Sequence, residues 1–267
     1  MTTSIITPLY HAHRHLPTLL DAVLSQTDSD WQWVVVIDDG LDYALPTDPR
    51  ITLVRGGIGS GPNRARNAGL VHCHGDVLLP LDADDWMAPT RIETLAPLAR
   101  QFGVAGDMEI TVNGVDGRHE RQVFQPFEGL KQLTPADYLN LNATIHLVFN
   151  RALVTRWPET VALAGDTLFN LDAIERAGQL VIAPETLFHY RTHLDSHCHQ
   201  DGSIDKAERG YREILRLIRA GVIARAPALK TLALELFEHK RATNQAYGEY
   251  CAAHGPTSFD AFLEHTT

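Results

Sequence analysis

Between Ser4 and Gln101 the chain alternates short, continuously apolar runs with amphipathic or proline-opened segments. No other feature restricts its fold as much. SIIT (Ser4 to Thr7), WVVVI (Trp33 to Ile37), ITLV (Ile51 to Val54) and VLLPL (Val77 to Leu81) have the length and bounds of buried strands. Between the first two, Leu16, Leu19, Leu20, Val23 and Leu24 follow the spacing of a one-faced helix, with Pro17 in its first turn. Pro62 opens a second helix to about Val71, and Pro89 a third to about Gln101. Strands without polar alternation, separated by helices, predict an α/β protein with a mostly parallel sheet covered on both faces.

In such sheets ligands bind beyond the carboxyl ends of the strands. Three of the four runs end in groups suited to that: Pro8 to Tyr10, Asp38-Asp39, and Asp82-Ala83-Asp84-Asp85. Carboxylates crowded at a strand end repel one another unless a cation sits between them. A hard divalent ion, Mg²⁺ or Mn²⁺, sharing them with phosphate oxygens would relieve that repulsion. Pro8 and Tyr10 can wall a nucleotide base, and Asp39 can accept from a base N–H. Gly56 to Gly61 is glycine-rich but lacks the Gly-Lys-Ser/Thr of a phosphate-binding P-loop.

Beyond Gln101 the rhythm changes. Met108 to Val112 and Gln122 to Phe124 read as a hairpin around NGVDG, and Thr134-Pro135 as a helix start. Ile145 to Phe149 reads as a strand. A helix is expected from Asp166 to Ala177, closed by Gly178, then strands at Leu180 to Ala183 and Thr186 to Tyr190. From Ile204 onward the chain reads as helical. Tyr211, Ile214, Leu215 and Ile218 form one apolar stripe; Leu229, Leu232, Ala233, Leu236 and Phe237 form another. Such stripes pack against a core or pair subunits in a homodimer.

Composition narrows the partners. The 267 residues carry a net charge of −10, from 23 basic and 33 acidic side chains. That balance argues against nucleic acid as a partner. Cys73, Cys198 and Cys251 offer no disulfide framework, and reduced thiols in a cytoplasmic protein are expected. No run approaches the ~18 apolar residues of a membrane span, so no transmembrane segment is expected, although the protein can sit peripherally at a membrane.

The motifs together carry a specific likeness. SIITPLYHAHRHLPTLLDAVLSQT, WVVVIDDG, NRARNAGL and LLPLDADDWMAP, in this order, resemble the successive motifs of the family 2 glycosyltransferases of the GT-A fold. AGDTLFNLDAIERAG and LFHYRTHLDS extend a weaker match to about Ser196. The resemblance implies a GT-A (Rossmann-like) domain over residues 1–200, with residues 201–267 as a helical appendage. It implies a nucleotide-sugar donor, most simply a UDP-sugar, and a glycan or lipid-linked acceptor.

In these terms Asp39 matches the base-binding acid, with Pro8, Tyr10, Asp38 and Ala83 as further nucleotide contacts. Arg64 and Arg66 face the diphosphate. Asp84 is the expected chief metal ligand, Asp82 contacts ribose or metal-bound water, and Asp85 holds the metal or orients the loop. Asp166 matches the general base of an inverting transfer. Without the family match, it reads as an ordinary helix N-cap. The family places Glu before this Asp, where this chain has Gly165. In the YRxH segment, His193 would reach the metal or diphosphate, with Arg191 as a supporting phosphate contact. His189, His193, Cys198, His197 and His199 have zinc-ligand types, but their spacing fits no recognised finger. A sugar-phosphate nucleotidyltransferase is the alternative enzyme. It would need its glycine-rich loop directly after the first strand, where this chain has Pro-Leu-Tyr. A non-catalytic nucleotide-sugar-binding protein is the non-enzyme alternative.

Overall fold

In the computed structural model, which describes residues 1–143, 145–161, 163–192, 203–255, 262 and 265, the apolar runs are strands and the amphipathic segments helices. In chain order the first half comprises β1 (Thr3–Leu9), α1 (Leu16–Leu24), β2 (Trp31–Ile37), β3 (Ile51–Arg55), α2 (Pro62–Leu70), β4 (Val77–Pro80), β5 (Trp86–Met87), α3 (Arg91–Phe102), β6 (Val104–Gly106), β7 (Ile110–Asn113) and β8 (His119–Gln122). It continues with β9 (Lys131–Leu133), α4 (Pro135–Asn140), β10 (Val148–Asn150), α5 (Gly165–Ala177), β11 (Leu180–Ile182), β12 (Phe188–Thr192), α6 (Ser203–Arg219) and α7 (Pro227–His254). Pro89 precedes α3 rather than opening it, because the short strand β5 occupies the residues before it.

The main sheet has eight strands in the order β3-β2-β1-β4-β10-β6-β11-β9. β3, β2, β1 and β4 are parallel, and β10 runs antiparallel to both β4 and β6. The chain steps outward from β1 to β3, then crosses back to place β4 on the other side of β1. That reversal opens a crevice at the carboxyl ends of β1 and β4. A second sheet, β5-β12-β7-β8, stands beside it. Its β7–β8 pair is the expected hairpin, and β12 joins β7 in parallel.

Period-two alternation explains why the strands carry no polar face. Ile5, Trp33, Val35 and Leu79 pack with Leu19 and Val23 of α1 and Ile92 and Leu95 of α3. Their neighbours Ile6 and Leu78 point the other way, into a cluster with Phe149, Leu168 and Phe169. α2 lies so close to the sheet that a Cβ on Gly69 would come within 2.6 Å of Val36 and 2.9 Å of Ile6. Thr134 caps α4 as expected: its hydroxyl accepts from the Asp137 N–H at 3.1 Å, and Asp137 Oδ2 accepts from the Thr134 N–H at 2.8 Å.

The two apolar stripes of the tail are used within the chain. Ile214, Leu215, Ile218, Leu229, Ala233 and Phe237 are buried in the same cluster as Phe149 and Leu168. These stripe residues thus pack into the core of the chain itself. Between α6 and α7, Arg225 reaches Asp172 at 2.7 Å and Glu175 at 3.1 Å, both on α5. The tail thus braces the helix that carries Asp166. No helix among the described residues is long and apolar enough to cross a membrane.

Candidate active site

The NRARN segment of α2 builds the centre of the crevice. Asn63 and Asn67 stand four residues apart on one helix face, and both clamp the chain around Trp157. Asn63 Nδ2 donates to the carbonyls of Pro158 (3.0 Å) and Val161 (3.2 Å). Asn67 exchanges bonds of 2.9 Å with the backbone of Trp157 in both directions. Between them Arg66 is 4% exposed. It forks onto both oxygens of Asp82, at 2.6 and 2.8 Å, and donates to Asp166 Oδ1 at 2.9 Å. Burial opposes its charge, but Asp166 and Asp82 outweigh burial and hold the guanidinium protonated. Arg66 therefore ties the acidic end of β4 to the start of α5. Arg64, by contrast, lies 60% exposed and faces Glu159 at 3.7 Å.

Asp166 is not the N-cap. Ala164 occupies that position, at φ 59°, and Asp166 stands in the first turn with its side chain 40% exposed. A non-glycine residue in the left-handed region is uncommon, and such strain gathers at functional turns. Gly165 has a steric reason. A Cβ there would sit 2.3 Å from Asn63 Nδ2, so the Asn63 amide leaves no room for a side chain at this position. Gly165→Ala is expected to push Asn63 off its two carbonyls and cost about 1–3 kcal/mol. Pairing it with Asn63→Gly should cost less than the sum of the two single changes, as a double-mutant cycle of denaturant melts would measure.

The nucleotide-side residues fall into two groups. Tyr10, 46% exposed beyond β1, stands edge-on to His11 with ring centres 4.4 Å apart. Pro8 is half-buried in β1. Asp39 Oδ2 accepts from the His11 N–H (2.7 Å) and Tyr43 Oη–H (2.6 Å), and Oδ1 from the Leu41 N–H (2.9 Å). Burial raises its pKa, but these donors outweigh burial and hold the carboxyl below its usual range. Burial and Asp39 together push the Tyr43 hydroxyl up to about 12. Asp38 works differently. It is buried and accepts from the Ser60 hydroxyl, the Ser60 N–H (3.2 Å) and the Gly61 N–H (2.9 Å). It folds the glycine-rich loop back onto the end of β2.

The acidic strand end is divided by environment. Asp85 is buried; its Oδ1 accepts from the Arg191 N–H at 2.8 Å, and its Oδ2 has no hydrogen-bond partner among the described residues. Burial, with Asp84 and Asp82 close by, pushes its pKa well above the usual carboxylate range. Asp82 is pulled down despite burial, by Arg66 and His146. Ala83 is partly buried against the α1 side of the core. Arg191 Nε donates to the Asp84 carbonyl at 2.8 Å, and its guanidinium lies 4.8 Å over Trp86, so Arg191 fastens the acidic loop.

Sequence reasoning missed the residue that completes this cluster. His146, ahead of β10, brings a ring nitrogen to Asp82 and Asp85, with one ligand atom of each residue within 4.8 Å of the others. Glu109, ahead of β7, accepts at one carboxylate oxygen from the His146 N–H (2.8 Å) and pairs with Nδ1 (2.9 Å). Burial lowers the His146 pKa, but Glu109, Asp85 and Asp82 prevail and raise it to about 9. The signal was a single imidazole inside the apolar run Ile145 to Phe149, and a carboxylate inside Met108 to Val112. Asp84 is not part of this three-residue cluster. His193, Cys198, His197 and His199 lie outside the described residues.

Residues 4–154 match the family model described as glycosyl transferase family 2. The poly(ribitol-phosphate) beta-N-acetylglucosaminyltransferase TarS of Staphylococcus aureus is 23% identical over 243 residues, which cover 84% of this chain and 41% of that relative. The chain thus spans well under half the length of that curated protein. A crystal structure of an S. aureus TarS fragment in complex with UDP-GlcNAc superposes with a TM-score of 0.65 at 17% identity, covering 93% of this chain and 92% of the other. The mannosyltransferase PcManGT of Pyrobaculum calidifontis, in complex with GDP-Man and Mn²⁺, superposes with a TM-score of 0.57 at 17% identity, covering 99% of this chain and 79% of its own. At such identities the superpositions establish the fold, which is that of GT-A glycosyltransferases.

Proposed function

Because the chain belongs to glycosyl transferase family 2, we propose that it moves a sugar from a UDP-sugar to an acceptor hydroxyl with inversion at the anomeric carbon, metal-assisted and with Asp166 as general base. The observation that carries this reading is the Arg66 bridge. One buried guanidinium holds Asp82, after β4 at the donor end, and Asp166, in the first turn of α5, so both carboxylates border one site. A single displacement needs a carboxylate on the far side of the reacting carbon from the leaving group.

Tyr10 and Pro8 would wall the base, and Asp39 would accept from its N–H. The UDP-GlcNAc complex of the TarS fragment supports a uridine donor. The residues at the end of β4 fit a divalent ion, Mn²⁺ or Mg²⁺: Asp85 Oδ2 is buried without a partner among the described residues, and Asp82 and Asp84 add charge beside it. When bound, such an ion offsets the charge that develops on the departing diphosphate. Arg191 keeps the loop of Asp84 and Asp85 in place, and Asp166 takes the acceptor proton. Residues 1–200 would form the catalytic unit. The helices from residue 201 onward would hold α5 firm through Arg225. A glycan or a lipid-linked sugar would supply the acceptor hydroxyl.

The test is to incubate the protein with Mn²⁺ and UDP-GlcNAc, UDP-glucose, UDP-galactose or GDP-mannose, follow nucleoside diphosphate release, and read the anomeric configuration of the product by NMR. Turnover of a UDP-sugar with inversion is expected. No turnover of any donor, or retention of configuration, would overturn the reading.

A further inference from the structure

We propose that His146 Nε2 is a direct ligand of the divalent cation at the end of β4, positioned by Glu109, and that this nitrogen biases the site toward Mn²⁺ over Mg²⁺. The inference rests on the metal-assisted reading above.

Two observations carry it independently of the acidic cluster itself. The first is Asp85 Oδ2, which is fully buried and accepts no hydrogen bond among the described residues. Buried polar atoms are rarely left so, and each one costs free energy. The second is the imidazole facing it. His146 Nε2 lies 3.9 Å from Asp85 Oδ2, too far for a hydrogen bond. Two ligands each about 2.1 Å from a common ion can stand up to about 4.2 Å apart. The gap therefore suits an intervening ion better than a direct bond. Asp82 completes the set, all three ligand atoms lying within 4.8 Å of one another. It would close by a few tenths of an ångström or reach the ion through water.

Glu109 explains why Nε2 is the nitrogen presented. One Glu109 oxygen pairs with His146 Nδ1 at 2.9 Å and also accepts the backbone N–H of the same residue. With Nδ1–H held by Glu109, an arriving ion displaces the proton from Nε2 and takes up that lone pair. Carboxylates commonly orient metal-bound histidines in this way. The ring is further held by stacking on Phe188, 4.3 Å between centres, and on Tyr190 at 5.3 Å. The His146 carbonyl accepts from buried Arg91 at 2.6 Å. The imidazole is thus fixed before any ion arrives. Mg²⁺ prefers oxygen ligands and gives up its waters reluctantly, so a site with one rigid nitrogen discriminates against it.

The test uses the full chain with Mn²⁺ and UDP, read by pulsed electron paramagnetic resonance for coupling of ¹⁴N to the bound Mn²⁺. The wild type is expected to show a directly bound nitrogen. H146Q should lose that coupling while still binding Mn²⁺ about 10–100-fold more weakly. E109Q should keep the coupling but lose affinity to a similar degree. An H189Q/H193Q variant, which removes the imidazole of His189 on β12 and that of His193, should retain the coupling. It decides the matter should H146Q fail to give a cooperative melt. Absence of the coupling in the wild type, its persistence in H146Q, or its loss in H189Q/H193Q would overturn the assignment. Wild-type Mn²⁺ affinity in E109Q would remove Glu109 from it. Sugar transfer without nitrogen coupling would sink this inference alone. Nitrogen coupling without transfer would sink the proposed function alone.

Discussion

Asp166→Asn is expected to lower kcat for transfer by about 10²–10⁴-fold while donor binding stays close to that of the wild type. Asn keeps an oxygen where Asp166 Oδ1 now accepts from Arg66 at 2.9 Å, so the bridge survives in neutral form. Arg66 remains forked on Asp82, and the donor end of the crevice is undisturbed. What disappears is a carboxylate able to take a proton. The loss should therefore fall on kcat, with little change in the donor KM or in UDP affinity by calorimetry. The side chain is 40% exposed, so the substitution should barely move the unfolding midpoint. Full transfer activity in a folded D166N protein would show that another group accepts the proton.

Arg66→Met is expected to damage stability and activity together. The guanidinium is buried and neutralises two carboxylates on different elements, Asp82 after β4 and Asp166 on α5. Removing one partner of a buried pair costs about 3–5 kcal/mol. Both carboxylates keep part of their surface in water, so a smaller loss than that, about 2–3 kcal/mol, is expected. Urea unfolding should report this as a lower midpoint with an unchanged slope. Arg66→Lys should recover only part of it, because an ammonium cannot fork onto Asp82 and reach Asp166 as well. Arg66→Met,Asp166→Asn should be less unstable than the sum of its parts, since the second change removes a carboxylate left uncompensated by the first. A wild-type unfolding midpoint for Arg66→Met would show that the bridge carries no weight.

The parallel half of the sheet was legible because its determinants are local. WVVVI and VLLPL are buried on both faces, so their apolar character is continuous and marks them as strands without reference to any partner. Pro17 and Pro62 mark helix starts by covalent geometry alone. The same holds for Asp39 and the Asp82 to Asp85 cluster, which a strand delivers to its own carboxyl end wherever the sheet lies. The likeness in four ordered motifs named the family from the same local signals, and the match over residues 4–154 agrees with it.

Other roles depended on which distant atom stood opposite. Asp38 has the composition of a ligand-binding acid, yet its oxygens are taken by Ser60 and Gly61. Arg64 and Arg66 are two residues apart on one helix, but only Arg66 turns inward to the crevice. Gly165, where the family has Glu, is required by the Asn63 amide that a Cβ would meet at 2.3 Å. His146 and Glu109 were invisible as a pair because 37 residues separate them. β10 runs antiparallel to β4, with Phe149 opposite Leu78, and this register carries His146 to the end of β4 beside Asp82 and Asp85. Strand type follows from side-chain pattern over a few residues, whereas register follows from the packing of whole layers. The chain therefore announced its acidic strand end and its fold family in its own residues. The partners of those acids came into being only when the layers closed.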